Sequence, residues 1–162
     1  MFITFILTSN LYFGILVLKY AYTGETMNSL VNISEGTSLA IHGLGLLANI
    51  APGRINVKSA AETLKASEAH LAKVFGKLQK SGMVSSTRGP SGGFALEKEP
   101  RNISFMDVYE IFEAPINPES CPMGRNYCPF NSCLFEGRIH KVSMEIYRIM
   151  KDTTISDLKE NK

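Results

Sequence analysis

The chain of 162 residues has no tryptophan, three histidines and three cysteines. The histidines, His42, His70 and His140, are scattered, so no nucleophile–base set forms from their spacing. The glycine-rich stretch TRGPSGGF, residues 87–94, lacks the Gly-Lys-Ser/Thr of a phosphate-binding loop. No low-complexity run and no internal repeat occurs. An odd cysteine count in a chain of cytoplasmic character argues against a disulfide framework. These absences exclude a P-loop nucleotide hydrolase, a repeat array and a disulfide-stapled secreted module. They also lead us to expect no enzymatic activity and no small-molecule substrate.

Net charge is small too, only +2. Its distribution carries the information. Residues 54–88 hold seven Lys/Arg (Arg54, Lys58, Lys65, Lys73, Lys77, Lys80, Arg88) against Glu62 and Glu68. Residues 89–162 hold nine basic and eleven acidic side chains. A basic block inside a near-neutral chain is the footprint of a phosphate-backbone partner, against the plainer reading of a solvated basic face. At 44% hydrophobic residues the chain can bury a core of its own.

The first 26 residues stand apart. MFITFILTSNLYFGILVLKY is apolar from Phe2 to Leu18 and close to the lower length for a membrane span. It lacks the basic start of a signal peptide and a clean small-x-small cleavage site. Translation from Met27 is the expectation, with residues 1–26 as an upstream extension. A membrane anchor is the alternative, and no membrane partner follows otherwise.

Helical periodicity organises what comes next. Residues 35–51 carry Leu39, Ala40, Leu44, Leu47, Ala48 and Ala51 in a stripe that Pro52-Gly53 ends. Asn56 is placed to cap a second helix with Val57, Ala60, Ala61 and Leu64 on one face. After a short turn, Ser67 caps a third helix with Leu71, Val74, Phe75 and Leu78 inside. Two short amphipathic helices joined this way form a helix-turn-helix. Ser67, His70, Lys73 and Lys77 lie off the apolar face and suit a DNA groove. Residues 83–88 and 94–96 then read as two strands around a tight connection, a wing. Ser104 and Asp107 resemble a capping box that starts a fourth helix. Residues 114–132 are a Pro-rich loop, residues 133–151 a longer helix with Leu134, Ile139, Val142, Ile146 and Ile149, and Thr154 and Asp157 cap a last short turn. The fold expected is mainly α with a small β-hairpin wing. The DNA-binding unit spans 27–103, a helix and cysteine-rich loop 104–131, and a dimerisation helix with its tail 132–162.

All three cysteines, Cys121, Cys128 and Cys133, fall in that loop or at its end. Thiolates are soft ligands that suit iron–sulfur clusters, zinc or copper(I). The close two-residue spacing common in zinc sites is missing. Unrelated thiols are the plain alternative to a bound metal.

Two segments in this order resemble the Rrf-type winged-helix regulators, the family of the iron–sulfur regulator IscR and the nitric-oxide sensor NsrR. One is KLQKSGMVSSTRGPSGGFALEKEPRNISFMDVYEIFE, Lys77 to Glu113. The other is the three-cysteine loop followed by a long helix. The resemblance runs from about residue 30 to 158. It implies a homodimeric, cytoplasmic transcription regulator that binds a double-stranded DNA operator and holds a two-iron or four-iron cluster. By the same resemblance Cys121, Cys128 and Cys133 match the cysteine ligands, and Arg88 matches a wing arginine that enters the minor groove. Ser67, His70 and Lys73 fall on the recognition helix. Arg54, Lys73 and Lys77 would contact phosphates or base edges, Pro90 would stiffen the wing tip, and Gly92 would let it approach DNA closely. The fourth ligand departs from the family. Ser38 stands where NsrR-like members have an acid, and Glu136 where IscR-like members have a histidine. Glu35 of the other subunit and His140 are the remaining candidates. Ala72 replaces an acidic reader, which implies a different operator. Two rivals keep their place: a same-fold repressor with a thiol or small-molecule switch, and a zinc-binding structural module.

Overall fold

The computed structural model describes residues 32–89, 92–118, 121, 129–133 and 135–158. The extension 1–26, Pro90, Cys128 and Leu134 lie outside the described residues.

The first three helix starts each rest on a local side-chain hydrogen bond. Helix α1 (Glu35–Ile50) opens at Ser34, whose hydroxyl accepts the Thr37 N–H at 3.2 Å. Helix α2 (Val57–Leu64) opens at Asn56, whose Oδ1 accepts the Ser59 N–H at 2.8 Å. Lys65 then takes a left-handed conformation and closes the short turn. Helix α3 (Glu68–Lys80) opens at Ser67. Leu44 and Leu47 of α1 bury against Leu71, Phe75 and Leu78 of α3 in one core cluster. Side-chain caps satisfy backbone donors that helix starts leave free, so short helices hold their ends in place.

Strands β1 (Val84–Thr87) and β2 (Gly93–Leu96) pair antiparallel, with Val84 opposite Leu96 and Thr87 opposite Gly93. A third segment joins them. Ile55, between α1 and α2, exchanges both backbone hydrogen bonds with Phe94. The Phe94 ring stacks on Phe75 with centroids 4.8 Å apart. The wing is therefore attached to the helices along one edge, through the Phe94 ring and through buried Val84.

After a 3₁₀ turn (Pro100–Asn102), helix α4 (Phe105–Phe112) starts with the expected capping box. Ser104 Oγ accepts the Asp107 N–H at 3.1 Å, and Asp107 Oδ2 accepts the Ser104 N–H at 2.9 Å. Met106 and Tyr109 of α4 pack on Met150 of α5 (Arg138–Asp152), with Ile146 and Tyr147 alongside. A final 3₁₀ turn (Ile155–Leu158) returns to α1, where Leu158 fills the space above Gly45. Ile103, Val108 and Ile155 join the same core as α1 and α3, so the core crosses the boundary expected at residue 103.

One helix differs from expectation. The periodicity predicts a start at residue 133, but α5 starts at Arg138. Glu136 and Gly137 have φ of 50° and 72°, left-handed backbone that a right-handed helix cannot contain. Residues 135–137 instead form a turn, with the Cys133 carbonyl accepting the Glu136 N–H at 2.9 Å and the Phe135 carbonyl the Arg138 N–H at 2.8 Å. Among the described residues no helix is long and apolar enough to cross a membrane.

Candidate nucleic-acid interface and thiol site

Helix α3 buries Leu71, Val74, Phe75 and Leu78. At roughly 100° per residue, Ala69, Lys73, Gly76 and Lys80 fall on the opposite side. Ala69, Lys73 and Lys80 are exposed, and a Cβ added at Gly76 would meet nothing within 4 Å. This is a narrow, small-residue face with two cations on it. Helical geometry places Lys80, named from the sequence only as part of the basic block, and Ala69 beside Lys73.

The remaining predicted residues of α3 are engaged elsewhere. Ser67 spends its hydroxyl on the cap, accepting the His70 N–H at 3.4 Å. His70 Nδ1 lies 3.6 Å from the Glu35 carboxylate on α1. The Lys77 ammonium sits 4.9 Å over the Phe112 ring. His70 and Lys77 thus share a flank of α3 that faces the start of α1 and the end of α4.

The wing residues divide similarly. Arg88 is exposed just after β1, at the edge of the hairpin tip. Arg54 donates to the Gly93 carbonyl at 3.3 Å, so its guanidinium braces the base of the wing. The close approach expected of Gly92 is internal: a Cβ there would stand 2.3 Å from the Thr87 carbonyl oxygen. Gly93, at φ 150°, passes equally close to Ile55, whose carbonyl oxygen would be 2.6 Å from an added Cβ. These glycines let the wing fold on itself and on the strand beside it.

At the end of α4, Glu113 Oε1 accepts the Ser34 N–H at 3.1 Å and the Thr37 hydroxyl at 2.5 Å. Burial pushes this carboxyl up, but the hydrogen bonds from Ser34 and Thr37, with Lys77 nearby, outweigh it and hold Glu113 below the usual carboxylate range. No local sequence pattern marks Glu113 as a partner of α1. Its partners lie 79 and 76 positions away, beyond any local pattern.

Of the cysteines, Cys121 is half-buried and Cys133 exposed. Backbone N–H groups of Gly137 and Phe135, with that of Glu136, hold the Cys133 thiol below its usual range. The left-handed Glu136-Gly137 pair turns these amides inward, the arrangement of an anion nest. Its donor chemistry fits a soft metal, because the thiolate is the ligating form. Among the described residues no three His, Cys, Asp or Glu side chains converge on one point. The fourth-ligand candidates are spread out. Glu136 pairs with Arg138 at 3.1 Å, and Glu35 lies by His70. The Ser38 carbonyl accepts from His42 Nδ1 at 2.7 Å, and His140 is exposed in the first turn of α5.

Residues 33–161 match the Rrf2 family, described as "Iron-dependent Transcriptional regulator". A putative HTH-type transcriptional regulator of Aquifex aeolicus is 33% identical over 128 residues, 77% of this chain and 89% of the relative. CymR (YrzC), titled the global cysteine regulator of B. subtilis, superposes with a TM-score of 0.66 at 25% identity, over 79% of this chain and 95% of CymR. T. potens IscR superposes with a TM-score of 0.62 at 26% identity, over 79% of this chain and 85% of that protein.

Proposed function

This chain belongs to the Rrf2 family of transcriptional regulators, and from that premise we propose that it acts as a cytoplasmic homodimer whose cysteine segment controls its grip on an operator. The observation that carries the DNA reading is the exposed face of α3, with Lys73 and Lys80, beside a hairpin that presents Arg88. Each subunit would lay α3 in a major groove and send Arg88 into an adjacent, narrow minor groove, where negative potential is strongest. Arg54 would act through the wing base that it braces. The two copies would meet along α5, where Val142 and Ile149 are 48% and 55% exposed, while Ile146, Tyr147 and Met150 pack against α4. Apolar side chains that exposed on one helix face suit a second helix.

Cys121, Cys128 and Cys133 would hold an iron–sulfur cluster, which supplies one-electron redox chemistry and reactivity toward nitric oxide when bound. The protein's own part is the set of backbone amides around Cys133, which favours its thiolate form. A fourth ligand from Glu136, Glu35 of the other subunit, Ser38 or His140 would complete the set. A metal-free thiol switch is the second reading. It is favoured by the exposure and lowered pKa of Cys133 and by the likeness to a protein titled a cysteine regulator.

Two experiments test these readings. Selection from a random-sequence duplex pool should yield a preferred fragment whose affinity falls steeply with salt. Failure to enrich any sequence would remove the regulator reading. Anaerobic purification with iron and acid-labile sulfide analysis separates the switches: visible absorption with both elements supports the cluster, zinc alone a structural module, and neither element a thiol switch.

A further inference from the structure

At the end of α4, the two residues that lead into the cysteine segment touch both α1 and α3. Glu113 is the first residue after α4, and the chain runs from it directly into the segment that carries the cysteines. Phe112 lies beneath the Lys77 ammonium at 4.9 Å. The same ring rests on the first turn of α1, where a Cβ on Gly36 would touch it at 3.4 Å. Glu113 holds that turn from the other side through the Ser34 N–H and the buried Thr37 hydroxyl. The turn also carries Glu35, which faces His70 of α3 at 3.6 Å. One flank of α3 is thus gripped at two points, a turn or two apart, by elements that Phe112 and Glu113 hold together.

We propose that Phe112 and Glu113 are positioning residues for DNA recognition, setting the orientation of α3 through Lys77 and through the first turn of α1. The proposal rests on the DNA-binding reading above. A cation over an aromatic face is directional, and a carboxylate accepting two hydrogen bonds resists displacement. Lys77, although exposed, is held in this way as a strut, and the phosphate contacts fall to Lys73 and Lys80 on the far side of the helix. A shift in the chain after Glu113 reaches α3 through these contacts without having to deform the buried core.

The test uses the full chain and a duplex fragment that the wild-type protein selects from a random-sequence pool. Four variants are compared: Phe112→Leu, which keeps apolar bulk and loses the ring face, Phe112→Tyr, which keeps the face, Glu113→Gln, and Lys77→Met. Amide hydrogen exchange is read over α3, with α2 and the hairpin as internal controls for folding. Phe112→Leu and Glu113→Gln should speed exchange in the second half of α3 and weaken binding roughly fivefold or more, while Phe112→Tyr does neither. Lys77→Met should weaken binding with the salt slope unchanged, and its effect should not add to that of Phe112→Leu. A salt slope lowered by about one with additive effects would put Lys77 on a phosphate and overturn the proposal. So would unaltered exchange with affinity kept within about twofold in Phe112→Leu and Glu113→Gln. If the variants alter exchange but the wild type selects no fragment, the DNA reading itself has failed. The contact is then packing only, and its recognition role is withdrawn.

Discussion

Lys73 and Lys77 stand one helical turn apart, are both exposed and look equivalent in the sequence, yet Lys77 has its ammonium over an aromatic ring. The difference comes from Phe112, a residue that the helix pattern of α3 does not mention. Caps were legible because they act over three residues: Asn56, Ser67 and Ser104 each bond a backbone N–H three positions on. Glu113 was not, since its partners arrive from another helix. Two predictions belong to this scale. Arg88→Ala should cost about 1–3 kcal/mol of operator binding and relax the preference for narrow A/T-rich grooves, read by fluorescence anisotropy on matched duplexes. Glu113→Gln should destabilise the fold by about 1–3 kcal/mol near neutral pH. A carboxylate held below its unfolded pKa stabilises above that value and loses its contribution as pH falls through the folded one. The gap between wild type and Glu113→Gln in urea unfolding should therefore close as the pH falls into and below the ordinary carboxylate range.

At the level of elements, periodicity served well where one face is buried and poorly where the backbone leaves its usual region. The stripes of α1, α2 and α3 were read within a residue or so of their observed ends, because the core imposes the helical repeat on the sequence. The start of α5 was read five residues early, since apolar spacing continues across a turn that Glu136 and Gly137 make left-handed. The wing presents a similar lesson. Its glycines look from the sequence like an invitation to a DNA backbone, while in the fold they admit Thr87 and Ile55. Gly93→Ala should consequently destabilise the protein by more than about 1 kcal/mol and loosen the hairpin, visible as a lower thermal midpoint and faster exchange at Phe94 and Ile55. An unchanged midpoint would mean that the wing tolerates a side chain there.

For the molecule as a whole, the exposed stripe of α5 gives the sharpest prediction. Ile149→Glu should convert a species of twice the chain mass into one of single mass in sedimentation velocity. Each buried isoleucine is worth about 1.5–3 kcal/mol and a two-fold interface counts the loss twice. A wild-type chain already sedimenting as a monomer would remove the dimer. The sequence alone determined the helix-turn-helix, the hairpin after it and the clustering of the cysteines, because caps, turns and apolar repeats are interactions between near neighbours. The family resemblance rested on the same local signals, and the match over residues 33–161 bears it out. Only the tertiary structure decided which cation of α3 lies over a ring, which glycines serve the fold, and that Phe112 and Glu113 touch α3 and α1. Those outcomes depend on side chains that are dozens of positions apart and become neighbours only once burial of a common core has brought α1, α3 and α4 together.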